Sequence, residues 1–80
     1  MNAKEAVAKR IMEICNDKEI TVNELANLAG ISPSTIYSML NSKSMNPGVV
    51  SIKKLCDGVD ITLREFFDSS LFEELDQEIK

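Results

Sequence analysis

The chain has 80 residues, of which 44% are hydrophobic and 28% charged, as expected for one small globular domain. It has no apolar run near the roughly 18 residues of a membrane-spanning helix, and early charged residues interrupt the apolar stretch that a secretory signal needs. We therefore expect a cytoplasmic protein without a membrane segment. Histidine and a glycine-rich phosphate loop are both absent, which argues against catalytic residues, a cofactor or a metal site.

The net charge of −4 is distributed unevenly along the chain. Residues 1–55 carry seven Lys and Arg against five Asp and Glu, whereas residues 56–80 carry two against eight. The acidic charge is thus concentrated in the last third, and the part before it has a net charge of +2. This asymmetry is compatible with nucleic-acid binding by the first part, although +2 is a small electrostatic footprint.

The first two helices are predicted from apolar spacing and from capping residues. Helix one is expected over residues 3–16, where apolar residues recur at helical spacing. Helix two is expected to begin at Thr21, because Thr21 and Glu24 have the spacing of a capping box, in which each side chain bonds the other residue's backbone amide. Gly30 is expected to end helix two in the left-handed conformation. The inward face of helix two is predicted to comprise Leu25, Ala26, Leu28 and Ala29.

Helix three is expected to begin immediately after this turn, with Ser32 as its N-cap and Pro33 at its first position. Only Ile31 separates Gly30 from the new cap, so the two helices must cross in a fixed way. The inner face is predicted to be Ile36, Met39 and Leu40, and the outer face Ser34, Tyr37, Ser38 and Asn41. Two short helices joined in this manner are the layout of a helix-turn-helix, which places its second helix in the major groove of DNA.

The remainder of the chain predicts two more helices and a tail. Helix four is expected over residues 49–57 and is ended by Gly58; helix five begins with a second capping box, Thr62 with Glu65. Helix four is predicted to turn four residues inward: Val49, Ile52, Leu55 and Cys56. We expect residues 1–68 to form the domain and residues 69–80 an acidic amphipathic tail. That tail is a sixth helix docked on the domain or on a partner, or it is frayed.

The chain resembles the Cro/phage-repressor class of helix-turn-helix domains, often called the Xre family. The matching segments cover most of residues 4–68: Thr21-x-x-Glu-Leu-Ala26, Gly30-Ile-Ser32, Ser34-Thr-Ile36, Asn41-x-Lys43, Asn46-Pro47 and Leu63-x-Glu-Phe-Phe-Asp68. The resemblance implies an all-α, compact five-helix, lambda-repressor-like fold that binds double-stranded DNA as a homodimer. It also implies site residues by position. The expected base-reading residues are Pro33, Ser34, Tyr37 and Ser38, and the expected phosphate-binding residues are Thr21, Ser32, Asn41 and Lys43.

The sequence departs from the family pattern at three places. Val22 stands where the family often has a phosphate-binding glutamine. The base-reading positions lack the Gln, Asn or Arg that makes bidentate base contacts. Cys15 and Leu40 stand where the class often has a buried Arg–Glu pair, and replacing both members of such a pair by apolar residues is compatible with an intact fold. We therefore predict that Cys15 lies against Leu40, and that Cys15 and Cys56 are buried thiols in a reducing compartment.

Two functions from different classes remain open. The first is a homodimeric transcriptional regulator, with repression as the expected sense, that binds a pseudo-palindromic operator; no pocket for a small-molecule effector is evident. The second is a protein-interaction module of the same fold that has lost DNA binding, such as an antitoxin-like or assembly partner. That module would use the apolar residues of the tail: Leu71, Phe72, Leu75 and Ile79.

Overall fold

The computed structural model describes residues 1–41 and 47–79, and all regular structure in these ranges is helical. Five α-helices follow one another: α1 (Ala3–Lys18), α2 (Val22–Ala29), α3 (Pro33–Leu40), α4 (Val49–Gly58) and α5 (Leu63–Phe67). A single 3-10 turn, Ser70–Phe72, follows α5. The predicted all-α, five-helix fold is confirmed, with helix ends within about two residues of those expected.

The predicted caps of α2 and α3 are present. Thr21 and Glu24 form the reciprocal capping box, with Glu24 N–H donating to Thr21 Oγ1 at 3.1 Å and Thr21 N–H donating to Glu24 Oε1 at 3.0 Å. Gly30 ends α2 with a φ of 70°, a left-handed conformation that costs glycine little. Ser32 caps α3, and Pro33 is its first residue. These local bonds determine where each helix of the pair begins and ends.

All five helices contribute to one hydrophobic core. Ile36 of α3, Leu25 of α2 and Phe66 of α5 are almost completely buried within it. Cys15 and Cys56 are free thiols inside this core, as predicted. Burial raises the pKa of both thiols, so they are protonated at neutral pH. Leu40 packs against the same core, and its direct contact with Cys15 stays a prediction.

Two residues predicted to face inward do not. Val49 is 71% exposed in the first turn of α4, whereas Gly58, at the other end of the same helix, lies against the backbone of the last turn of α2. Leu28 is also exposed, since the last turn of α2 turns Ala29 rather than Leu28 toward the core. Gly58 is the last residue of α4 rather than a residue beyond its end, and the left-handed residue of the following turn is Asp60.

The residues after α5 return to α1. Phe72, in the 3-10 turn, packs against the core and lies edge-on to Phe67, with 5.0 Å between their ring centroids. Further along, Asp76 N–H donates to the Met1 carbonyl at 3.0 Å. Residues 73–79 adopt no regular helix, and Ile79 is 82% exposed. The sixth helix considered from the sequence is therefore only the short 3-10 turn.

Arg10 joins α1 to the end of α5. Its Nε donates to the Phe66 carbonyl at 2.6 Å and its Nη2 donates to the Glu65 carbonyl at 2.8 Å, while Nη1 pairs with Glu13. The last carbonyls of a helix lack partners within the helix, so this guanidinium supplies a donor to the Phe66 carbonyl. It adds a second donor to the Glu65 carbonyl, which also accepts the Asp68 N–H at 3.3 Å. The arginine side chain is mostly buried in doing so.

Replacing Arg10 by lysine should lower the free energy of unfolding by about 1 kcal/mol, because a point charge cannot occupy both carbonyls in the geometry of a planar fork. Urea denaturation measures the difference. Arg64→Lys is the matched control, since Arg64 is exposed on α5 and should change stability by less than about 0.5 kcal/mol. Equal stability of the two variants would show that the arginine fork contributes nothing beyond what a lysine at position 10 supplies.

Candidate nucleic-acid interface

The outer face of α3 consists mainly of polar side chains on a helix whose inner face is buried. Ile36 and Met39 belong to the core, whereas Ser34 and Tyr37 are exposed, Tyr37 by 53%. Ser38 is half-buried on the same helix. The predicted division of α3 into an inner and an outer face is thus present in the structure. A helix of this kind presents hydroxyl groups and one aromatic ring to a binding partner, and it carries no charged side chain.

The two hydroxyls expected to bind phosphates are already engaged as cap acceptors. Thr21 Oγ1 accepts the Glu24 N–H, and Ser32 Oγ accepts the Thr35 N–H at 3.3 Å. A hydroxyl that accepts one bond keeps its own proton for donation. Thr21 and Ser32 therefore cap their helices, and both are exposed. The Thr21 O–H stays available to a phosphate, whereas the Ser32 O–H lies within bonding distance of the Ser34 and Thr35 hydroxyls. Each also stands at a helix N-terminus, where the helix dipole favours an anion.

The other two expected phosphate-binding residues follow α3. Asn41 is its exposed C-cap, with its backbone N–H donating to the Tyr37 carbonyl at 3.1 Å and the Ser38 carbonyl at 3.3 Å. Lys43 lies outside the described residues. Two further lysines lie on α4: Lys53 pairs with Asp57 one turn later, and Lys54 is exposed.

One functional candidate is missing from the sequence-based set. The Thr35 hydroxyl lies 2.8 Å from Ser32 Oγ, and Ser34 Oγ lies 3.1 Å from the same Ser32 oxygen. Three hydroxyls at the start of α3 are thus joined through Ser32. The spacing of Ser32 and Thr35, an N-cap and the third helical position, is the signal in the sequence that could have indicated this contact.

Charge near this surface is mixed. The N-termini of α2 and α3 contribute partial positive charge, but the Glu24 carboxylate lies beside the first of them as part of the capping box. Pro33 is exposed at the first position of α3 and offers an apolar contact without a donor. The surface is therefore suited to a few neutral hydrogen bonds rather than to strong charge pairing.

Other chemistry is not indicated in the part of the chain that the structure describes. Within residues 1–41 and 47–79, no cluster of three Cys, Asp or Glu side chains is arranged to hold a metal ion. In the same ranges no helix is long and apolar enough to cross a membrane.

Comparison with known proteins agrees with this geometry. The sequence matches the family model of the Cro/C1-type HTH DNA-binding domain over residues 10–69. A search among curated proteins finds no match. Among solved structures, the chain is similar to the one described as "Crystal structure of the prophage Lp1 protein 11". The two are 32% identical, the match covers 94% of this chain and 100% of that one, and the TM-score is 0.82.

The fold and the α2–α3 pair thus define a helix-turn-helix domain. The chain belongs to the Cro/C1-type HTH DNA-binding domain family, as the resemblance seen in the sequence indicated. This is a family of DNA-binding regulatory domains.

Proposed function

We propose that the protein is a sequence-specific transcriptional regulator that binds a pseudo-palindromic operator as a homodimer and acts as a repressor. The observation that carries the proposal is the exposed polar face of α3 in a chain of the Cro/C1-type family. In this function α3 enters the major groove and α2 crosses the phosphate backbone. Two such helices about 34 Å apart would meet successive half-sites on one side of the duplex.

The residues divide into two roles in this proposal. Pro33, Ser34, Tyr37 and Ser38 contact base edges, and Thr21, Ser32, Asn41 and Lys43 hold phosphates. The exposure of Ser34 and Tyr37 supports the first role, and the position of Thr21 and Ser32 at helix N-termini supports the second. Phosphate contacts determine the position of the domain on the duplex, and base contacts determine the choice of sequence.

Base readout by this set is chemically modest. A serine hydroxyl makes single rather than bidentate hydrogen bonds, and Pro33 offers only an apolar contact to a thymine methyl group. Discrimination must therefore come in part from the shape and deformability of the DNA, including base pairs that the protein does not touch. We expect selected operators to share a groove width or a flexible step as well as a few fixed bases.

The first experiment is a fluorescence titration of the purified protein against a pool of random duplexes at low and at physiological salt. Selection of a palindromic sequence, with affinity that falls steeply as salt rises, would support the regulator. Absence of binding at low salt, with the helical circular dichroism spectrum intact, would instead favour the interaction module. The structure already engages Phe72 of that module's predicted surface with the domain's own core.

Ser38→Ala should reduce affinity for the selected operator about fivefold, because one hydrogen bond to a base edge is lost while the phosphate contacts stay. The same variant should relax the choice of base at one position of each half-site, which a repeat of the selection would reveal. The control is Ser70→Ala, an exposed serine in the 3-10 turn, which should leave affinity and base choice unchanged. Unchanged base choice in Ser38→Ala would remove Ser38 from the base-reading set.

Lys43→Ala should weaken binding to all sequences alike and reduce the slope of affinity against salt by about one counterion, since a phosphate contact carries no sequence information. Titrations at three or more salt concentrations give the slope. Lys54→Ala is the matched control on α4, and it distinguishes the loss of a specific phosphate contact from the general loss of one positive charge. A Lys43 variant with the parental slope would contradict the phosphate role.

A further inference from the structure

The hydroxyls of Ser32, Ser34 and Thr35 form a connected chain with Ser32 in the middle. Ser32 Oγ lies 3.1 Å from Ser34 Oγ and 2.8 Å from Thr35 Oγ1, and it also accepts the Thr35 backbone N–H. A hydroxyl has one proton and two lone pairs. Because one lone pair of Ser32 is used by the cap, Ser32 must donate to one neighbouring hydroxyl and accept from the other in order to bond both.

Only two arrangements satisfy this requirement. In the first, Thr35 donates to Ser32 and Ser32 donates to Ser34, so the Ser34 proton is available to an outside acceptor. In the second, Ser34 donates to Ser32 and Ser32 donates to Thr35, so Ser34 offers only lone pairs to the outside. Both arrangements contain the same two internal bonds, and both leave one O–H proton for solvent. Neither is therefore favoured by the count of hydrogen bonds, and in each the bonds polarise one another in the same direction.

We propose that these three hydroxyls act as one reversible relay, through which Ser34 meets either a donor or an acceptor on a base edge, and that Thr35 is the positioning residue which sets its polarity. This inference rests on the proposed function, in which Ser34 faces a base. As a donor, Ser34 suits guanine or thymine, whose major-groove hydrogen-bonding groups are all acceptors, and it can also bond N7 of adenine. As an acceptor, it suits the exocyclic amine of adenine or cytosine. The wild-type protein therefore has little preference between these two groups of bases at the position that Ser34 contacts.

Thr35→Asp breaks this symmetry. A carboxylate only accepts hydrogen bonds, so Ser32 donates to residue 35, and the bond between Ser32 and Ser34 can then form only with Ser34 as its donor. Ser34 is left as an acceptor toward the DNA. An aspartate at the third helical position is also favourable for the helix dipole, so the variant is expected to fold. Thr35→Val is the matched control, because valine keeps the side-chain shape and the backbone N–H bond to Ser32. It has no group that donates to or accepts from the Ser32 hydroxyl, so it does not determine which way the bond between Ser32 and Ser34 runs.

The test is a base-preference titration of the wild-type protein, Thr35→Asp, Thr35→Val, Ser34→Ala and the double variant Ser34→Ala with Thr35→Asp, on the selected operator with each base pair varied. Thr35→Asp should shift preference toward adenine or cytosine at one position per half-site, by about threefold to tenfold, the effect of one hydrogen bond. Thr35→Val should show no such shift. In the double variant the shift in base preference should vanish, since the relay then has no hydroxyl at position 34 to contact the base.

The outcomes separate the inference from the function on which it rests. If Thr35→Asp lowers affinity for every sequence by the same factor, the new negative charge acts by repelling phosphates. The proposed relay is then wrong, while the proposed function as a DNA-binding regulator is unaffected. If the shift persists in the double variant, the new carboxylate at position 35 contacts the base itself and the relay is again wrong. If the wild-type protein binds no duplex at low salt, the proposed regulator function is wrong, and the relay proposal that rests on it is wrong as well.

Discussion

Replacing Ile36 by alanine is expected to lower the free energy of unfolding by about 2 to 5 kcal/mol. Ile36 has 0% of its surface exposed and lies at the middle of α3, where it fixes the helix to the core. The variant loses the transfer free energy of the removed methyl and methylene groups and leaves a cavity that neighbouring side chains fill only in part. For a domain of this size, whose total stability is of the order of 4 to 12 kcal/mol, the loss is a large fraction.

Urea denaturation of Ile36→Ala, Ile36→Val and Val50→Ala gives the graded comparison. Ile36→Val removes a single methylene group and should cost about 0.5 to 1.5 kcal/mol. Val50 is 70% exposed on α4, so Val50→Ala removes apolar atoms without opening a cavity and should change stability by less than about 0.5 kcal/mol. Full stability of Ile36→Ala would show that the inner face of α3 is not packed as described. Its affinity for DNA should fall only at denaturant concentrations where it unfolds.

Gly58→Ala is the second large change, with an expected net loss of about 2 kcal/mol. A Cβ placed on Gly58 would lie 2.8 Å from the Ala29 nitrogen, 2.8 Å from the Leu28 carbonyl carbon and 2.9 Å from the Leu28 oxygen. These are backbone atoms of the last turn of α2, so no side-chain rotation can relieve the overlap. Overpacking of this kind costs about 3 kcal/mol, and the better helix propensity of alanine offsets less than 1 kcal/mol.

Gly48→Ser is the control for this change. A Cβ on Gly48 meets nothing within 4 Å, and a serine at the N-cap of α4 supplies the side-chain acceptor that this cap lacks. Its stability should equal or slightly exceed that of the parent in urea or thermal denaturation. If Gly58→Ala proved as stable as Gly48→Ser, the close approach of α4 to α2 would not exist in solution. A folded Gly58→Ala protein must shift the end of α2 together with the Gly30 turn that leads into α3.

The two glycines show how much each level of description can predict. The sequence predicts the role of Gly30 correctly, because a left-handed helix end is a local property of the backbone and glycine adopts it at the lowest energetic cost. For Gly58 the sequence predicts only that it ends its helix. Its role is to let two backbones meet, and no pattern along the chain shows which distant backbone approaches it.

The candidate site divides in the same way. The caps at Thr21 and Ser32 and the exposed hydroxyls of α3 follow from residue type and helical period, and the structure contains both. The hydrogen-bonded connection from Thr35 through Ser32 to Ser34 depends on side-chain positions within the first turn of α3. For this reason the site residues predicted from the sequence do not include Thr35.

Residue type and spacing along the chain predict the local order of this protein: five helices, the caps of α2, α3 and α5, the helix-turn-helix pair and the family. These depend on neighbouring residues, whose interactions are the same wherever the helix lies. The packing of the helices is needed to see that Val49 faces solvent, that Arg10 binds the end of α5 and that Phe72 returns to the core. Each of these depends on where a helix end meets another element, and helical periodicity gives the face of a residue but not the extent of the surface that covers it.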